Sequence, residues 1–218
     1  YYENDKVNYE VQEDQSPNVM HAQTIAPADL LVADRESPVR VILASDYELY
    51  TSSLSDFPRS HNGYLYSDTQ KDILKLVVLN RYTNQSPSVG FIKNFGLRKG
   101  AMATSIAHDS HNLIVLGENE EDMSISVKYL MDVGGGQVVT ENGEVKAAVE
   151  LPVAGLMSDL PPGEVSTSLK ELEEAVSEIG CELSRPFMIL SSLALAVIPE
   201  VRLTDKGLVD VNTQEIIH

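Results

Sequence analysis

Residues Phe95 to Gly117 read FGLRKGAMATSIAHDSHNLIVLG, in which two apolar segments, Ala101 to Ala107 and Leu113 to Leu116, enclose the polar run His108-Asp109-Ser110-His111-Asn112. Short apolar segments bounded by turn-forming residues read as buried strands, so the stretch predicts two strands joined through a polar turn. Five successive hydrogen-bonding side chains between buried strands are costly unless each finds a partner. Nowhere else in the sequence is so much chemistry concentrated.

Upstream of this stretch the pattern is also that of a sheet. Val39-Arg40-Val41-Ile42-Leu43 is β-branched and apolar, Ser55 to Asn62 reads as a loop, and Asp72 to Tyr82 (DILKLVVLNRY) reads as a central strand. Asn84 to Ser88 breaks the pattern before a further strand over Val89 to Ile92. Downstream, helices enter. Asn119 is placed to cap a helix whose first turn holds Glu120, Glu121 and Asp122, with Met123, Val127, Leu130 and Met131 on one face and Gly134-Gly135-Gly136 at its end. Gln137 to Val149 predicts a hairpin around Asn142-Gly143. Pro152 to Gly163 reads as a loop, and Ser168-x-x-Glu171 has the capping-box spacing of a second helix with Leu169, Leu172, Val176 and Ile179 inward. Pro186 opens a third helix reaching Val197, and Val201 to Val211 forms a final turn and strand. The fold class expected is α+β, a mostly antiparallel sheet with about three helices packed on it.

The chain has 218 residues, of which 43% are hydrophobic, enough for a folded core. Lys and Arg total 16 against 33 for Asp and Glu, a formal net charge of −17. Phosphate backbones and anionic lipid are repelled by such a surface, so no nucleic acid and no membrane are expected as partners. Cys181 is the single cysteine, which excludes an internal disulfide and a cysteine-based zinc site and points to a reducing, cytoplasmic setting. No apolar run approaches the roughly 18 to 20 residues of a membrane helix. Residues 1–18 are acidic and poor in aliphatics, and read as a flexible linker or tail; residues 19–218 read as the folded domain. The first residue is Tyr1 rather than methionine, as expected for a processed chain or a piece of a longer protein.

Several stretches taken together resemble the C-terminal domain of bacterial and archaeal adenine deaminases. They are Asp72 to Tyr82, Gly90 to Ala101 (GFIKNFGLRKGA), Ser105 to Asn112 (SIAHDSHN), Leu151 to Asp159 (LPVAGLMSD), Pro186 to Leu193 (PFMILSSL) and Val197 to Asp210 (VIPEVRLTDKGLVD). They occur in the family's order, and the likeness covers residues 19–211; Ala196 departs from it, standing where a proline is the family's pattern. The resemblance implies a metal-dependent amidohydrolase that converts adenine and water to hypoxanthine and ammonia, with manganese or iron held in a barrel that precedes this domain. Such a metal lowers the pKa of its bound water, and a general acid protonates the departing ammonia. The sequence carries no His-x-His pair, its five histidines being His21, His61, His108, His111 and His218. At 218 residues it is also too short for a barrel of about 250 residues plus this domain. The expected partners are therefore that barrel and adenine, with room for a homo-oligomer, and no metal site is expected within this chain.

Three readings of the polar turn stand side by side. It locks this domain to the barrel or simply satisfies its own turn, it supports the adenine pocket, or His108, Asp109 and His111 hold a metal of their own, for which His-x-x-His off a regular helix offers weak geometry. Catalytic candidates are His108, Asp109 and His111; substrate-binding candidates are His108, Ser110, Asn112 and Lys99. Lys99 stands beside Arg98 in an otherwise acidic chain. Gly134-Gly135-Gly136 lacks the lysine and the strand-to-helix order of a phosphate loop and reads as helix termination. Ser158-Asp159 lacks a neighbouring histidine, and Cys181 reads as a small buried residue. The alternative function is a non-catalytic purine-binding or assembly module with the same fold.

Overall fold

The structure, a computed structural model, describes residues 2–3, 6–7, 18, 20–22, 24–46 and 48–217. In chain order it forms β1 (Tyr2–Glu3), β2 (Lys6–Val7), a 3-10 turn at Pro27–Leu30, β3 (Val32–Ala33), β4 (Val39–Leu43), β5 (Ser52–Asp56), β6 (Arg59–His61) and β7 (Tyr64–Tyr66). Then follow β8 (Ile73–Leu79), β9 (Ser88–Lys93), β10 (Ala101–Thr104), β11 (Leu113–Gly117), α1 (Glu120–Val133), β12 (Gly136–Glu141) and β13 (Glu144–Glu150). The chain closes with α2 (Pro162–Glu178), α3 (Pro186–Ser192), β14 (Val201–Thr204), β15 (Gly207–Asp210) and β16 (Glu215–Ile217).

Eight strands make the main sheet in the order β13-β12-β10-β11-β8-β9-β4-β5. All its pairings are antiparallel except β4 with β9. Every residue of β8 is buried, because the sheet is covered on both faces. Strand alternation divides its side chains between two cores. Leu74, Leu76 and Val78 pack with Leu172 and Val176 of α2, Leu190 of α3 and Leu203 of β14. Val77 and Leu79 pack with Met123, Val127 and Leu130 of α1 and with Leu30. A smaller cluster of Val41, Leu65, Ile73 and Phe91 seals the β7 hairpin against the sheet. The fold is α+β, as the sequence predicts.

Local chemistry explains the boundaries. Asn119 accepts a hydrogen bond from the Asp122 amide at the start of α1, and Gly134 ends it with φ of 85°. Asn142 and Gly143 turn the β12–β13 hairpin at φ of 55° and 81°, and Asp122 accepts from both amides. Other boundaries differ from expectation. Much of 55–62 is strand, since polar Arg59–His61 pairs with β7 as an exposed edge that no apolar alternation announces. The second helix starts at Pro162 rather than Ser168, because a proline in the first turn costs no hydrogen bond, and the Ser168–Glu171 pattern falls inside the helix. Leu169 is consequently 40% exposed. The third helix stops at Ser192, where the Leu203 amide of β14 captures the Leu193 carbonyl, and 194–199 continues as turns. The C-terminal segment is a three-stranded antiparallel sheet, β14-β15-β16, not a single turn and strand.

The linker assigned to residues 1–18 lies mostly outside the described residues; within it β1 and β2 pair antiparallel. Its last residue is tied to the domain, the Asn18 amide donating to the carbonyls of Gly134 at 2.6 Å and Pro152 at 2.9 Å. Among the described residues no helix is long and apolar enough to cross a membrane.

Candidate functional site

The polar turn joins β10 to β11 at one end of the main sheet. Its base is buried and closely bonded. Ser105 is fully buried; its hydroxyl accepts from the Gly136 amide at 2.8 Å and donates to the Gly155 carbonyl at 2.6 Å. Asn112, 4% exposed, accepts from the Arg81 amide at 3.3 Å. The Tyr82 hydroxyl donates to the Ser110 carbonyl at 2.8 Å, and the His108 amide donates to the Ser191 carbonyl of α3 at 3.1 Å. His108, Asp109 and Ser110 themselves are exposed at the tip.

His111 closes the turn on itself. Its amide donates to the Ala107 carbonyl at 2.6 Å, and its ring Nδ1 accepts from the Ala107 amide at 3.3 Å. The residue holds φ of 52°, a conformation few non-glycine residues adopt without local bonding. The His108 and His111 rings stand edge to face with centroids 5.8 Å apart. Burial first, then His108 and Arg81, press the His111 imidazole below its ordinary range, and Asp109 opposes them.

Arg81, 3% exposed, lies beneath the turn just past the end of β8. Its guanidinium donates to the His111 carbonyl at 3.4 Å and to Asn18 Oδ1 at 3.0 Å. Gly155, at φ of 74°, admits the guanidinium: a Cβ there would stand 2.8 Å from Nη1. Burial lowers the Arg81 pKa, which leaves a guanidinium charged at any physiological pH.

Of the residues singled out from sequence, His108, Asp109, Ser110, His111 and Asn112 thus share one turn, with Asn112 turned inward. Lys99 is elsewhere. It precedes β10 while the turn follows it, and its ammonium pairs with Glu141 at 2.7 Å. Among the described residues no three His, Cys, Asp or Glu side chains converge to hold a metal, the set His108, Asp109 and His111 included. Gly134-Gly135-Gly136 ends α1 and enters β12. Ser158 accepts from the Leu160 amide. Cys181 is buried, and burial pushes its thiol up to about 11. The supporting residues Arg81, Asn18, Ser105 and Gly155 are not singled out one by one in the sequence; Arg81, Ser105 and Gly155 lie within segments that carry the resemblance, and Arg81 is also a cation at the end of an apolar run.

Four segments distant in sequence therefore meet at the turn: Asn80 to Tyr82, Ser105 to Asn112, Pro152 to Gly155, and α3. A family model described as adenine deaminase C-terminal domain matches residues 48–215. The chain belongs to the adenine deaminase C-terminal domain family. It is 43% identical over 202 residues to an adenine deaminase of Dehalococcoides mccartyi, a match covering 92% of this chain and 35% of that protein. It is 42% identical over 226 residues to an adenine deaminase of Methanosarcina barkeri, covering 99% of this chain and 40% of that protein. An adenine deaminase of Kosmotoga olearia is 40% identical over 214 residues, with 96% and 37% covered. The chain thus spans about two fifths of the length of these curated relatives. The segments that meet at the turn are among those that carry the resemblance to the adenine deaminase C-terminal domain in the sequence.

Proposed function

We propose that this domain works as the C-terminal part of an adenine deaminase, which hydrolyses adenine to hypoxanthine and ammonia, and that the turn 108–112 is the surface it offers to the catalytic part. In that reading a manganese or iron ion held by an amidohydrolase barrel would supply hydroxide from its bound water. The described residues of this chain give no donor set for such an ion, so the turn's role is recognition and support.

One observation carries the reading. The tip of the turn is exposed while its base is braced from β8, α3 and the 152–155 loop at once. A rigid, pre-organised tip suits a surface that must meet a partner or substrate without loss of conformational freedom. We place His108 and Ser110 against the adenine pocket or its rim, Asp109 beside them, Asn112 as the inward anchor, and the reaction in the cytoplasm.

The test is hypoxanthine formation from adenine, with manganese supplied, by the 218-residue chain and by a longer protein that carries the preceding barrel. Turnover by the longer protein alone is expected. Turnover by the 218-residue chain on its own overturns the reading.

A further inference from the structure

We propose that His111 acts as a fixed, neutral Nε2–H hydrogen-bond donor at this turn, and that Arg81 is the positioning residue that holds it there. The inference rests on the functional reading above for what the donor meets, but its chemistry stands on geometry within the chain. A neutral imidazole carries one proton, and the nitrogen that accepts a hydrogen bond is the one without it. Nδ1 of His111 accepts from the Ala107 amide, so the proton resides on Nε2. The ring is then unable to serve as a general base through Nε2, and what it offers outward is a donor. Its ligand is a hydrogen-bond acceptor, such as a purine ring nitrogen or a carbonyl oxygen.

Charge reinforces the neutral form. The groups facing the ring are His108 and Asp109 on the same turn and Arg81 from the end of β8; the first and last disfavour a second proton and the carboxylate favours it. Arg81 also fixes the backbone. It holds the carbonyl of His111, which keeps φ of 52°, while its other arm reaches Asn18, itself anchored on Gly134 and Pro152. The fork of a guanidinium makes both contacts at once, which an ammonium does not do in that geometry.

The experiment is nitrogen NMR of the 218-residue chain labelled on histidine nitrogens, whose three apolar clusters are each buried among the described residues of this chain. His111 is expected to show the Nε2–H tautomer at neutral pH and to titrate below the ordinary imidazole value of 6.5. Arg81→Lys, and Asn18→Ala as a gentler loosening of the same guanidinium, are expected to give a mixture of His111 tautomers with the fold retained. In the longer protein, His111→Gln, whose amide nitrogen falls where Nε2 stands, should keep about tenfold more kcat/KM for adenine than His111→Asn. An Nδ1–H tautomer or an imidazolium at neutral pH overturns the proposal outright. An unchanged tautomer in both Arg81→Lys and Asn18→Ala overturns the positioning role, and equal losses in the two His111 variants overturn the donor role. If instead no variant of the turn affects adenine turnover, the functional reading fails while the tautomer found by NMR stands.

Discussion

The guanidinium of Arg81 lies against the backbone of Gly155, and a Cβ added at Gly155 would stand 2.8 Å from Nη1 and 2.9 Å from Nη2. This contact joins the end of β8 to the 152–155 loop and sets the floor of the turn 108–112. Gly155 is also at φ of 74°, where a side chain is strained whatever the space around it. Gly155→Ala is therefore expected to cost about 2 kcal/mol or more, from the conformation and from displacement of Arg81. Urea unfolding measures it; a loss under about 0.5 kcal/mol would mean that the contact is slack.

Lys75 is fully buried on β8 and pairs with Glu120 at the start of α1, its ammonium 5.1 Å from the Tyr66 ring centroid. Burial is the largest influence on Lys75 and lowers its pKa, with Glu120 opposing. Removing one partner leaves an uncompensated buried charge, whereas removing both does not. Glu120→Gln is expected to destabilise by about 3 kcal/mol, and Lys75→Met combined with Glu120→Gln to recover most of it. Equal stability of the single and double variants would show that the pair is not coupled.

The His111 imidazole is held below its ordinary value of 6.5 by burial, His108 and Arg81. As pH falls the unfolded chain takes up this proton first, so acid favours unfolding. The contribution of neutral His111 is complete above 6.5 and is lost as pH falls through the lower folded-state value. Stability measured against His111→Gln across that window should show wild type losing more on acidification. Parallel curves for the two proteins would contradict the assignment.

Cys181 is buried and its thiol is pushed from 9.0 up to about 11. The thiolate is the reactive species, and two units of pKa remove about 99% of it at mildly alkaline pH. Alkylation of the native chain with iodoacetamide should run about 100-fold slower than that of the unfolded chain. A rate within threefold of the unfolded one would place this cysteine at the surface.

Much of this architecture is legible in the sequence because its causes are local. The apolar run of β8, interrupted only by Lys75, the Asn142-Gly143 turn and the cap at Asn119 each act within a few residues, and each falls where the pattern places it. The start of α2 departs from the pattern because two helix-start signals compete, and Pro162 precedes Ser168. The turn itself is legible as a concentration of polar side chains, but its support is not. Asn18 and Arg81 are 63 residues apart, and Ser105 and Gly155 are 50 apart. No spacing rule connects such pairs; they meet only in the folded chain, around a sheet order that sets β8 and β10 on either side of β11. Lys99 is close to the turn in sequence, yet a strand of four residues lies between them.

In the proposed function, the turn 108–112 serves the chemistry of the larger protein. Its most direct test is kcat/KM for adenine in that protein carrying His108→Ala and His111→Ala together, with bound metal measured alongside. A fall of about tenfold or more is expected, with metal content unchanged. Wild-type kcat/KM in the double variant would contradict it.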